Sequence, residues 1–234
     1  MRRLHRHLFF LLLAAAFSLA ASRPAYATAF TFAGTSAGGT GSAEMAIDID
    51  VVNNVLTLTL SNTSPTVLNS GTGANAPGIT AFGFDLLNNP LPSLLSWSLT
   101  ADQYVSGAFQ TVTVGSSTGS SYDWAMGTFK AGVEMDYLPQ NKGMDGALFN
   151  PDALGSPLLP GGKNSVYYTD AILTMKFSST PILDISSTSP FVRFQNVGAG
   201  GEGSLKLSAV PEPATLALLA TGAFIAYRAR RRSR

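Results

Sequence analysis

Apolar and polar positions alternate strictly over residues 44–51, with Met45, Ile47, Ile49 and Val51 on one side and Glu44, Asp48 and Asp50 on the other. A period of two is the signature of a strand with one buried face. Asn53-Asn54 tolerates positive φ and supplies a turn. Residues 55–61 return from it with Leu56, Leu58 and Leu60 inward and Thr57 and Thr59 outward. Upstream, 29–34 reads as a strand with Phe30 and Phe32 on one face, followed by a glycine-rich loop at 38–41. Further strands are predicted at 79–86, 96–99, 110–114, 122–129, 166–177, 191–197 and 204–207, separated by Gly, Ser, Asn and Pro. No stretch between 28 and 208 sustains a helical period. Short strands joined by polar turns predict an all-β fold, an antiparallel β-sandwich or jelly roll, as one domain over 28–208. The longest irregular region, 138–164, carries Pro139, Gly143, Gly146, Pro151, Pro157, Pro160, Gly161 and Gly162. It exceeds an ordinary connection, which marks it as a functional loop or a short helix.

Both ends break this pattern. Arg2, Arg3 and Arg6 precede an apolar run over 8–21 interrupted only by Ser18, and Ala25-Tyr26-Ala27 follows. A basic start, a short apolar core and a small-x-small site read as a signal peptide over 1–27, cut between Ala27 and Thr28. Its handlers would be the Sec translocon and signal peptidase. At the other end stand Val210, Pro211, Glu212 and Pro213, then an uncharged run over 214–226, then Arg228, Arg230, Arg231, Arg232 and Arg234. Each proline fixes φ and removes a backbone donor, and the residue before it is pushed toward extended geometry. Residues 210–213 are therefore expected to be extended, exposed and unable to join a sheet, which suits a substrate that a protease or transpeptidase binds as a strand. The uncharged run would rise only about 20 Å as a helix, against a hydrocarbon core of about 30 Å. Tyr227 and a snorkelling Arg228 lengthen it, and the arginines are expected to stay cytoplasmic.

Val-Pro-Glu-Pro-Ala-Thr, the Leu-Ala-Leu-Leu-Ala-Thr-Gly-Ala-Phe run and the arginine cluster resemble the PEP-CTERM sorting signal of Gram-negative bacteria. The resemblance covers 209–234. It implies an exosortase that recognises Pro211-Glu212-Pro213, transient anchoring in the inner membrane, and a mature form at the cell surface or outside the cell. It also implies a setting of exopolysaccharide production and biofilm or floc formation. Residues 79–86 and 191–204 resemble strands of ectodomains that carry this tag, which again implies a β-sandwich.

Removing both ends changes the charge. Between Thr28 and Val210 stand six basic and thirteen acidic residues, a net charge of about −7, although the whole chain is +1. An acidic surface argues against nucleic acid and anionic lipid as partners. The chain has no cysteine, so an exported domain must hold through its core alone. His5 and His7, the only histidines, lie in the signal peptide. Ser-His-Asp and Cys-His nucleophiles are thereby excluded from 28–210, and zinc loses its preferred ligands. The Gly198–Gly203 cluster precedes a strand rather than a helix and reads as a turn, not a phosphate loop.

Three chemistries remain open. Two carboxylates suffice for a glycosidase, and Asp123, Glu134 and Asp136 flank the aromatic stretch 122–137. Calcium takes oxygen ligands, and Asp136, Asn141, Asp145, Asn150 and Asp152 cluster in the long loop without EF-hand spacing. Trp97, Tyr122, Trp124, Tyr137, Tyr167 and Tyr168 would stack on sugars if exposed; in a sandwich without disulfides aromatics are more often core. The expectation is a non-enzymatic surface or matrix protein with no catalytic residues and no obligatory cofactor, structural or adhesive. A carbohydrate-binding module for exopolysaccharide is the alternative, and a carboxylate-based hydrolase comes third. An exposed aromatic row would favour the second, a cleft with two converging carboxylates the third, and a smooth Thr/Ser/Asn surface the first.

Overall fold

The computed structural model describes residues 27–65, 76–105, 108–119, 123–128, 132–137, 144, 146–153, 167–186, 189–198 and 203–211. Within them the chain forms strands β1 (Thr28–Ser36), β2 (Gly39–Asp50), β3 (Val55–Asn62), β4 (Gly78–Asp85), β5 (Leu94–Val105), β6 (Ala108–Ser116), β7 (Trp124–Thr128), β8 (Gly132–Tyr137), β9 (Tyr167–Phe177), β10 (Phe191–Val197), β11 (Gly203–Ser208) and β12 (Val210–Pro211). One 3-10 turn, Pro151–Ala153, precedes β9. The strands form two sheets, ordered β12-β1-β2-β3-β9-β5-β6 and β11-β10-β4-β8-β7. Every paired strand is antiparallel, and the sheets pack face to face as the expected sandwich.

The predicted hairpin forms with its register intact: Met45 opposes Leu60, Ile47 opposes Leu58 and Ile49 opposes Leu56. Asn54 takes φ 54° in the turn, as an asparagine tolerates best after glycine. β9 pairs on the other side of β3, with Leu58 opposite Leu173. The inward rows of both sheets, from Phe30, Phe32 and Leu58 to Phe82, Trp124, Val192 and Phe194, make one buried core. Each such side chain removes about 1.5–3 kcal/mol worth of apolar surface from water, which stands in for the missing disulfides. A smaller cluster of Ala76, Ala147, Phe149 and Ala153 packs beside it.

Several expectations are corrected. The loop at 38–41 shrinks to a two-residue turn, Ala37-Gly38, with both residues at positive φ, and Gly39 already opposes Ser36. β5 runs to Val105 through a register shift between Ala101 and Gln103, which hides its period. β8 was not foreseen. Its six residues alternate Val133, Met135 and Tyr137 inward with Glu134 and Asp136 half-exposed. The largest correction is β12. Val210 opposes Thr31 and Pro211 opposes Phe30, so the chain does join a sheet there. A proline cannot donate to a central ladder, but at the edge it is tolerated. Ala209, just before it, is buried and donates its N–H to Pro190 O at 2.8 Å.

Candidate functional site

The C-terminal segment starts from the sheet edge. β12 runs antiparallel to β1, so its last residue, Pro211, stands opposite Phe30, two residues from Thr28 at the start of β1. Ala27 is exposed and Thr28 half-exposed, opposite Ile47 of β2. The two expected processing points thus lie at one end of one edge strand. Glu212 and Pro213, the run 214–226, and Arg228, Arg230, Arg231, Arg232 and Arg234 lie outside the described residues, as does the signal peptide up to Tyr26. Among the described residues no helix is long and apolar enough to cross a membrane.

Of the candidate carboxylates, Asp123 lies just before β7, and Glu134 and Asp136 lie on β8. Asp123 accepts a 2.7 Å hydrogen bond from the Tyr168 hydroxyl of β9. Burial, and after it this bond to Asp123, pushes the Tyr168 phenol well above its ordinary value, so it remains a donor. Glu134 and Asp136 stand two residues apart on β8 and face away from the core, opposite Gly83 and Ala81 of β4 and Gly127 and Ala125 of β7. The same outer face carries Arg193 opposite Lys206, and the Lys206 ammonium lies 3.9 Å from the Phe191 ring centroid. Asp123 is thus engaged with Tyr168 of the facing sheet, whereas Glu134 and Asp136 share the outer face of β8.

Of the calcium candidates, Asn141 and Asp145 lie outside the described residues. Asp136 is on β8, and Asp152 is exposed in the 3-10 turn. Asn150 caps that turn through its Oδ1, which accepts from Asp152 N at 2.9 Å, and donates its amide to Ser64 O at 2.8 Å. Among the described residues no three acidic, histidine or cysteine side chains gather where one ion would touch them.

The aromatic candidates are mostly core. Trp124, Tyr137 and Tyr168 are buried, and the Trp124 indole donates to Gly146 O at 2.8 Å. Tyr167 is half-buried edge-on to Phe149, and Tyr122 lies outside the described residues. Trp97 lines a groove of about 320 Å³ with Leu86, Leu91, Pro92, Leu94, Met126 and Phe177. Among the described residues its lining offers no polar side-chain group but the Trp97 indole, whereas a sugar site needs a few placed donors and acceptors.

The outer face of the seven-stranded sheet is different again. Across it the registers set Ala46, Thr59, Ile172, Thr100 and Thr113 in one row and Asp48, Thr57, Thr174, Ser98 and Ser116 in the next. Thr111 adds a donor to Asp102 Oδ1 at 2.7 Å. Sequence reading found Thr57 and Thr59 but not this alignment, which needs the strand order.

Comparison with protein families finds the PEP-CTERM protein-sorting motif over residues 209–232. No curated protein and no solved structure matches the chain.

Proposed function

We propose that the domain over 28–208 acts as a structural or adhesive component of the extracellular matrix, delivered there by its C-terminal motif. The motif marks an exported protein that an exosortase sorts to the cell surface. The role outside the cell is the further step. The observation that carries it is the outer face of the seven-stranded sheet, where threonines and serines of β3, β9, β5 and β6 line up in two rows, one of them interrupted by Ile172. Hydroxyl rows on a broad sheet offer many weak, repeated hydrogen bonds to a hydrated polymer rather than one deep pocket. The burial of Trp124, Tyr137 and Tyr168 weighs against a stacking platform, and the hydrogen bond from Tyr168 already engages Asp123. On this reading the protein is not an enzyme and works without a cofactor, and its partners are the exosortase and then the exopolysaccharide.

The test compares producing cells that carry the full chain with cells in which Thr57, Thr59, Thr100 and Thr113 are replaced by lysine. The variant is expected at the surface in normal amount, with cell aggregates that come apart at lower shear. Aggregates of unchanged strength, with the variant at the surface, would overturn the matrix role.

A further inference from the structure

We infer that one pole of the sandwich, built by the β2–β3 turn and the 178–186 segment, is the face that the precursor lays on the surface of a zwitterionic lipid bilayer. The inference rests on the reading of 214–226 as an inserted anchor, and adds which part of the folded domain meets the lipid.

The first observation is distance along the chain. β12 ends at Pro211, paired with Phe30 and directed toward Thr28. Only Glu212 and Pro213 separate it from the uncharged run. Two or three extended residues span at most about 7–11 Å. Once the run is in the bilayer, the Thr28 end of β1 has no room to stand away from the membrane. Before signal cleavage the chain leading into Thr28 leaves from the same place, so both apolar tethers pull on one pole.

The second observation is what that pole carries. β2 continues past Thr28, from Ile47 through Ile49 and Asp50, into the turn over 51–54. At about 3.3 Å per residue the turn lies roughly 10–15 Å beyond Thr28, on the membrane side of the motif, so the strands must tilt from the bilayer normal for it to rest at the surface. The 178–186 segment is tied to it: Phe177 N donates to Asn54 O at 2.9 Å, and the Thr180 hydroxyl to Asn54 Oδ1 at 2.8 Å. Here the apolar residues point outward. Val52 is 67% exposed, Ile182 54% and Ile185 43%. Beside them lies a groove of about 310 Å³, lined by Ile49, Val51, Pro181, Ile182, Leu183 and Ile185 together with the hydroxyl residues Thr28 and Thr180. Exposed apolar side chains gathered at one place mark an interaction site. Seated at the headgroup boundary, they leave water where the tethers require contact.

Charge selects the lipid. Asp50 and Asp184 belong to this pole, and Asp48 stands on the strand leading to it, against Lys176 beside Val55. A net negative rim is repelled by anionic headgroups but not by phosphocholine.

The absence of cysteine makes the test direct. Full-length chains with Val52→Cys, Ile182→Cys, Ile185→Cys, Thr59→Cys or Ala220→Cys carry one fluorophore each. They are reconstituted into phosphatidylcholine vesicles holding lipid quenchers at the headgroup or deep in the acyl region. Labels at 52, 182 and 185 are expected to be quenched several-fold more by the headgroup quencher than the label at 59. Replacing part of the phosphatidylcholine with phosphatidylglycerol is expected to reduce that difference. If 220 is quenched by the deep probe while 52, 182 and 185 match 59, the pole assignment is overturned and the anchor stands. If 220 is not quenched, both fall. All four ectodomain positions are exposed, so failure to fold does not mask the outcome.

Discussion

Asn62 is the side chain whose removal is expected to loosen the sandwich most for its size. It is 2% exposed at the end of β3. Its amide donates to Pro77 O at 2.8 Å and Leu148 O at 2.9 Å, and its Oδ1 accepts from Ser64 N at 2.9 Å. One residue thus fastens β3 to the entry of β4 and to the segment before the 3-10 turn. In Asn62→Ala, Leu148 O keeps the N–H of Ile79 at 2.8 Å, but Pro77 O and Ser64 N lose the partner described here. Each orphaned buried group costs about 1–3 kcal/mol, so with two of them the variant should lose roughly 2–6 kcal/mol. At about 2–4 °C per kcal/mol for a domain of this size, the melting temperature falls by at least about 4 °C and at most about 24 °C. The assay is thermal and urea denaturation of the 28–211 domain, with the exposed Thr59→Ala as control, expected within about 0.5 kcal/mol of the parent. Asn62→Asp separates the bonds further: it keeps the acceptor for Ser64 but turns a carboxylate toward two carbonyls, so it should be weaker at neutral than at acid pH. An Asn62→Ala loss no larger than that of Thr59→Ala would refute the reasoning.

Three other outcomes are expected. Ala37, at φ 49°, sits in the left-handed region, and Ala37→Gly should stabilise by about 0.5–1 kcal/mol in urea denaturation. Gly83 lies where a Cβ would come 2.3 Å from Val133 O and 2.8 Å from the Phe191 ring, so Gly83→Ala should cost about 1–3 kcal/mol in the same assay. Burial, and then the neighbouring Asp184, raise the Asp85 carboxyl above its ordinary value, with Lys206 acting the other way, and its Oδ1 has no partner among the described residues. A folded-state value above the unfolded one means stability that is full below the unfolded value and is lost as pH rises through the folded one. Asp85→Asn should therefore melt higher than the parent at neutral pH and lose that advantage when the carboxyl is protonated in both states.

The parts of the fold legible in the sequence are those where one period decided the matter. In β2 and β3, five to eight residues alternate without interruption and the turn between them carries its own asparagines, so register followed from pattern. β8 is hard to read because Glu134 and Asp136 carry the spacing of one strand face and equally that of a carboxylate pair. Only four residues of β5 are legible, since the register shift near Ala101 breaks the alternation that would extend it. β12 is illegible for a different reason: a proline is excluded from a central ladder but not from an edge, and sequence does not say which strands are edges. The candidate site divides the same way. The order of motif, apolar run and arginines is local and readable, whereas the threonine rows and the shared exit of both ends depend on which strands become neighbours.

The central claim is that this is an exported domain whose C-terminal signal is read and removed. It is tested most directly by intact mass and C-terminal peptide analysis of the protein recovered from the producing cells' surface and medium. The expected product is a chain that starts at Thr28 and ends within or beside Val210-Pro211-Glu212-Pro213, without Arg228–Arg234. A surface-associated chain that keeps those arginines and stays in the membrane fraction would contradict it.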